Sequence, residues 1–209
     1  MKLAIIANEE LKEELMFAGV SSNCTINWVE NIHEVPDNAD AVIDLLFEEN
    51  GYDVSGLQKF LPKPVFVNSI NKTIGEIGFS LIRINGWPGF LKRSVAEVAG
   101  DANIDKKEAE KILLLLNRKT EWVPDVKGFV SARVVSLIIN EAYFALDENV
   151  STKSEIDIAM TLGTNYPLGP FEWAKKIGLK RIAGLLNELS KTEKRFEAAS
   201  LLVKEAKQD

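Results

Sequence analysis

The first residues that could do chemistry stand at the start of the chain. The short apolar run within Lys2–Ala7 passes directly into the charge-rich, helix-like stretch Asn8-Glu9-Glu10-Leu11-Lys12-Glu13-Glu14-Leu15. A strand followed at once by a helix opens a dinucleotide-binding α/β domain. There the intervening turn is glycine-rich, so that backbone can approach a pyrophosphate and free N–H groups at the helix start can receive it. Here the turn is Asn8-Glu9-Glu10, and the first glycine is Gly19. Glu9 and Glu10 suit the helix dipole without any ligand, and they add like charge and bulk where a pyrophosphate would come. Glu30, at the end of the second apolar run, matches the acidic residue that holds the adenine ribose in such sites. Without the glycines, a solvated carboxylate is its simpler role. The turn is that of a nucleotide site rebuilt to do without its ligand.

Little other chemistry is available. His33 is the only histidine and Cys24 the only cysteine. No Ser/His/Asp or Cys/His constellation can be assembled from one histidine, and no set of residues has metal-ligand spacing. His33 reads as a surface or packing residue. Trp28, Trp122 and Trp173 read as packing, with Trp87 placed where it could meet a ligand. A net charge of −6 argues against nucleic acid or an anionic membrane as the main partner. A single cysteine excludes an internal disulfide and fits a reducing compartment. With no secretory pattern at the N-terminus and no apolar run near the ~18 residues that span a bilayer, a cytoplasmic protein is expected.

The elements that must position these residues fall into two groups. Strands are expected at Leu3–Ala7, Thr25–Val29, Asp40–Phe47, Pro64–Asn68, Ser80–Ile84 and Val95–Ala99, with helices at Glu9–Phe17 and Lys106–Asn117 and a last strand in Arg118–Asp125. Short apolar runs separated by helical stretches predict a mostly parallel, doubly wound sheet, small because the connections are short. After Lys127 the pattern is helical throughout. Phe129–Leu146 is long and apolar enough to be buried on most sides, and Ser154 with Asp157 approximates a capping box for a Glu155–Leu162 helix. Helices Phe171–Gly178 and Arg181–Lys207 follow. The fold class is α/β, a reduced Rossmann-like sheet at 1–124, followed by an all-α domain at 125–209.

The helical half resembles the C-terminal domain of the 3-hydroxyacyl-CoA dehydrogenases. The resemblance rests on Asp125, Gly128-Phe129, Arg133, Asn140-Glu141-Ala142, Ile156-Asp157, Ala159-Met160, Gly163, Pro167-Leu168-Gly169-Pro170-Phe171-Glu172 and Ile177-Gly178-Leu179, which stand in the family's order. The α/β half is similar to the family's NAD-binding domain more weakly and is shorter, chiefly across its middle.

That resemblance implies where a site would lie. Family members use a histidine as general acid/base, oriented by a glutamate twelve residues later. Glu97 takes the glutamate's place and Asn85 the histidine's, and an amide has no proton to exchange near neutral pH. The family's substrate-contacting asparagine falls at Ala132, and its serine at Ile70 or Asn71, while the asparagine before that serine persists as Asn68. The catalytic positions are therefore Glu97 and Asn85, and the cofactor positions Glu30 and Asn68. The implied function is an impaired family member acting in acyl-CoA binding or assembly, with no cofactor. The alternative is a working NAD-dependent dehydrogenase of fatty-acid metabolism. The family also implies a homodimer through the helical domain.

Overall fold

In the computed structural model, which describes residues 1–208, the chain separates into two compact units, Met1–Phe129 and Val130–Asp209. The first is built on a seven-stranded sheet: β1 (Lys2–Ile6), β2 (Thr25–Val29), β3 (Ala41–Asp44), β4 (Val65–Asn68), β5 (Ile82–Ile84), β6 (Val95–Ala99) and β7 (Lys119–Trp122). The order is β2-β1-β3-β4-β5-β6-β7, parallel except for the β5–β6 pair. Only α1 (Glu9–Met16) and α3 (Lys106–Leu115) are helices of useful length here, and α2 (Ile74–Ile77) is a single turn. The β2–β3 and β3–β4 crossovers carry 3-10 turns, Ile32–Glu34 and Gln58–Phe60, in place of full helices. The unit is reduced in this concrete sense.

Helices or turns on both sides bury the central strands on both faces, which is why those strands read as nearly continuous apolar runs. Leu3, Ile5, Ala41, Ile43, Phe66, Ile82 and Ile84 pack with Leu11 and Leu15 of α1 and Ile112 and Leu113 of α3. Ala4, Ile6, Val42, Val65 and Val67 pack on the other side with Phe47, Leu57 and Phe60. The chain leaves β1 towards β2 on one side, and β3 lies on the other. The carboxyl ends of β1 and β3 are thus the switch point at which such sheets bind ligands. The strand expected to run from Asp40 to Phe47 stops at Asp44, because residues 45–50 fold into a turn against Ile6 and β4.

The second unit comprises α4 (Ser131–Asp147), α5 (Lys153–Thr164), α6 (Pro170–Ile177), α7 (Leu179–Ser190) and α8 (Ser200–Ala206). Three expectations are corrected. The capping box of α5 uses Thr152 and Glu155, not Ser154 and Asp157. Asp157 serves α6 instead: its Oδ1 accepts the Phe171 N–H at 2.8 Å, and Gly169 must be glycine because a Cβ there would lie 2.3 Å from that carboxylate. The expected Arg181–Lys207 helix is two helices joined through a 3-10 turn at Lys194–Phe196. Nor is α4 buried on most sides, since Val134, Glu141 and Phe144 face outward.

Candidate functional site

The residues assigned to catalysis do meet. Asn85 follows β5 directly, and its backbone N–H donates to the Glu97 carbonyl at 3.0 Å, continuing the antiparallel ladder with β6. That register sets the two side chains together, and Asn85 Nδ2 donates to Glu97 Oε2 at 2.9 Å. Both residues are buried. The carboxylate therefore orients an amide, which cannot take or release a proton in the working pH range.

Asn68, at the end of β4, is buried and fully engaged. Its Nδ2 donates to the Leu45 carbonyl at 3.1 Å, and its Oδ1 accepts the Gly86 N–H at 3.0 Å. It clamps the ends of β3, β4 and β5 together, and its amide stands so close to Gly86 that a Cβ there would lie 3.0 Å from Asn68 Cγ. A clamp with both ends occupied is a structural group. Glu30 is exposed beyond β2; its backbone N–H donates to Glu34 Oε2 at 3.0 Å, and nothing draws it towards Asn68 or Asn85. His33 is exposed in the Ile32–Glu34 turn.

Around the same strand ends, carboxylates take backbone donors. Glu48 accepts the Ile70 N–H at 2.8 Å, the Asn71 N–H at 3.1 Å and the Tyr52 hydroxyl at 2.5 Å. Glu14, buried on α1, receives the Gly89 N–H at 2.7 and 2.8 Å. Asp44 closes its own turn by accepting the Leu46 N–H at 2.9 Å and the Phe47 N–H. Burial pushes the Asp44 carboxyl up to about 7, against the lowering effect of those two bonds. Sequence reasoning missed all three, because apart from the Tyr52 hydroxyl the partners named here are backbone N–H groups, which leave no trace in residue type. Of the two positions at which the resemblance puts the family's serine, Ile70 is fully buried and Asn71 half-buried, and Ala132 lies fully buried in the helical unit.

A dinucleotide would have to seat its pyrophosphate at the opening turn. Asn8 is the N-cap of α1, and its Oδ1 accepts the Leu11 N–H at 3.0 Å. One of the donors a pyrophosphate would use is already spent, and the exposed Glu9 and Glu10 carboxylates stand in the first turn. These residues do not fit the group. Among the described residues no cluster of His, Cys, Asp and Glu could hold a metal ion, and no helix is long and apolar enough to cross a membrane.

Residues 128–208 match the family described as 3-hydroxyacyl-CoA dehydrogenase, C-terminal domain. The helical unit is thus a domain of the 3-hydroxyacyl-CoA dehydrogenase family. It is 32% identical over 160 residues to the 3-hydroxyadipyl-CoA dehydrogenase of Escherichia coli K12, a match covering 76% of this chain and 30% of that protein. A probable 3-hydroxybutyryl-CoA dehydrogenase of Bacillus subtilis is 42% identical over 67 residues, 32% of this chain and 23% of the relative. Among solved structures, the (S)-3-hydroxybutyryl-CoA dehydrogenase of Ralstonia eutropha superposes with a TM-score of 0.74 at 17% identity, covering 97% and 92% of the two chains. At that identity the likeness is one of fold, and it confirms the Rossmann-like sheet followed by a helical domain. The chain spans under a third of the length of the curated relatives named here.

Proposed function

We propose that the chain is a non-catalytic member of this family, which serves in assembly through its helical unit and carries out no hydride transfer of its own. The observation that carries the proposal is the buried Asn85–Glu97 hydrogen bond. The orienting carboxylate is retained, and an amide stands where a titratable ring is needed. General acid/base catalysis contributes about 10²–10⁴-fold. The loss is compounded by the capped turn at Asn8, by Ile70 or Asn71 at the serine's place and by Ala132 at the asparagine's. The helical unit supports the assembly half of the proposal: α5 buries none of its residues, so a second copy covering it accounts for its outward apolar side chains. Binding of an acyl-CoA, by contrast, is supported by no engaged side chain in the α/β unit.

The second reading, an active NAD-dependent dehydrogenase, draws on the names of the relatives. One assay separates the two: oxidation of NADH with acetoacetyl-CoA by the purified chain, beside titration with NAD. The non-catalytic reading expects no turnover above buffer and a dissociation constant in the millimolar range or beyond. Turnover by the wild-type chain overturns it.

A further inference from the structure

The outward stripe on α5 is ordered by helix geometry. Glu155, Ile158, Ala159, Leu162 and Gly163 are all exposed, at the i, i+3, i+4, i+7, i+8 spacing of one face, while Ile156, Asp157, Met160 and Thr161 sit half-buried on the other. Ile158 is 53% and Leu162 84% exposed. Large apolar side chains so open, on a helix that buries nothing, mark a surface meant to be covered.

The comparison with the E. coli protein says what kind of body covers it. The helical unit holds 80 residues, so at least 80 of the 160 aligned residues must lie in the reduced α/β unit. The same two-unit body therefore recurs in a 3-hydroxyadipyl-CoA dehydrogenase, where it accounts for only 30% of the protein. The remainder is more than twice as long. That is room for a complete dehydrogenase body, since the Ralstonia enzyme is covered over 92% of its length by this chain alone. Bodies joined in one polypeptide meet at a high effective concentration, and a contact made there can also form between separate chains.

We propose that the α5 face receives the helical domain of a catalytically complete member of this family, one with a glycine-rich turn and a histidine base, to give a mixed assembly. This rests on the non-catalytic reading above, and it goes beyond self-association by naming a partner that supplies the chemistry. The B. subtilis protein, 42% identical over 67 residues, is a separate chain of the kind this partner would be. The partner contributes the active site, and this chain contributes surface.

The test is co-expression of the chain with the complete 3-hydroxybutyryl-CoA dehydrogenase encoded in its own source genome, the two carrying different tags, followed by two-step purification and native mass spectrometry. A mixed species at micromolar concentration is expected, weakened at least tenfold by Leu162→Glu and by Ile158→Glu. Circular dichroism melting of both variants confirms that they fold, and Lys204→Ala, at an exposed position of α8, is expected to leave the mixed species in place should neither of them do so. Absence of a mixed species, loss of it in Lys204→Ala but not in folded Leu162→Glu, or a source genome with no complete member overturns the inference. Those outcomes leave the non-catalytic reading standing. Turnover of NADH by this chain alone removes that reading instead, so the two failures are distinguishable.

Discussion

The two units of this chain spend their side chains in opposite directions. In the α/β unit, polar groups at the carboxyl ends of the strands turn inward and satisfy the chain itself: Asn8 caps α1, Asn68 clamps three strand ends, and Glu48 and Glu14 accept backbone N–H groups from distant turns. In the helical unit apolar groups turn outward, on α5 and along Val134 and Phe144 of α4. A binding site needs unsatisfied polar groups, and an interface needs unsatisfied apolar ones. The contrast teaches that the unit resembling a nucleotide-binding domain spends these polar groups on its own folding, whereas the helical unit leaves apolar groups exposed, which is the basis of the roles proposed above.

The sharpest way to break that comparison is to remove an inward partner. Arg83 is fully buried and donates to Asp125 at 2.5 Å and to the Ser69 and Ile70 carbonyls at 2.9 and 3.3 Å. Arg83→Met is expected to destabilise the α/β unit by about 3–5 kcal/mol, the usual result of breaking a buried pair, read as a lower urea midpoint. An unchanged midpoint would mean that these bonds contribute nothing to the scaffold.

Asp44 gives the next effect, and its sign follows from the direction of its shift. Its folded pKa, about 7, lies above the 3.8 of an unperturbed aspartate. The folded state thus holds the proton more tightly, and the stability it contributes is full below pH 4, declines between about 4 and 7, and is gone above that. The span corresponds to at most roughly 4 kcal/mol at about 1.36 kcal/mol per unit. Denaturation at pH 5 and pH 8 should show the wild type losing stability on going up, with Asp44→Asn flatter across the window. Equal slopes in both proteins would place Asp44 in a wetter setting than its turn implies.

Asn68→Ala ranks third. It leaves the Gly86 N–H and the Leu45 carbonyl without their partner, at about 1–3 kcal/mol for a buried unsatisfied group, and a thermal melt reads it. The smallest effect on folding belongs to the outward face. Leu162→Glu should change the stability of the isolated chain by no more than about 0.5 kcal/mol, yet shift self-association in light scattering from dimer to monomer. A large stability loss would show that Leu162 packs within the chain.

Much of the architecture was legible because its signals are local. β2 and β6 lie where their apolar patterns put them, and the helical motif from Gly128 to Leu179 carried the family resemblance. The break between α7 and α8 was not legible, because the stretch Lys191–Ser200 holds neither glycine nor proline. It is made from outside. Asn140 of α4 donates to the Glu197 carbonyl and accepts the Ala199 N–H, both at 2.8 Å, while Phe196 is buried beside it. At the candidate site, Asn85 and Glu97 could be paired from their spacing and the family resemblance. The roles of Asn68, Glu48 and Glu14 could not, since hydrogen bonds to remote backbone are invisible to residue type.

The buried Ile70 bears on how such a chain could change over generations. If the family's serine belongs at this position, not at Asn71, placing it there would delete a fully buried aliphatic side chain, a loss of the order of 2–4 kcal/mol for a large-to-small core change. Nothing is gained at that step, because a serine without a histidine at position 85 and a glycine turn at position 8 has no reaction to serve. On the non-catalytic reading proposed above, core packing at Ile70 thus acts as a ratchet against a serine there.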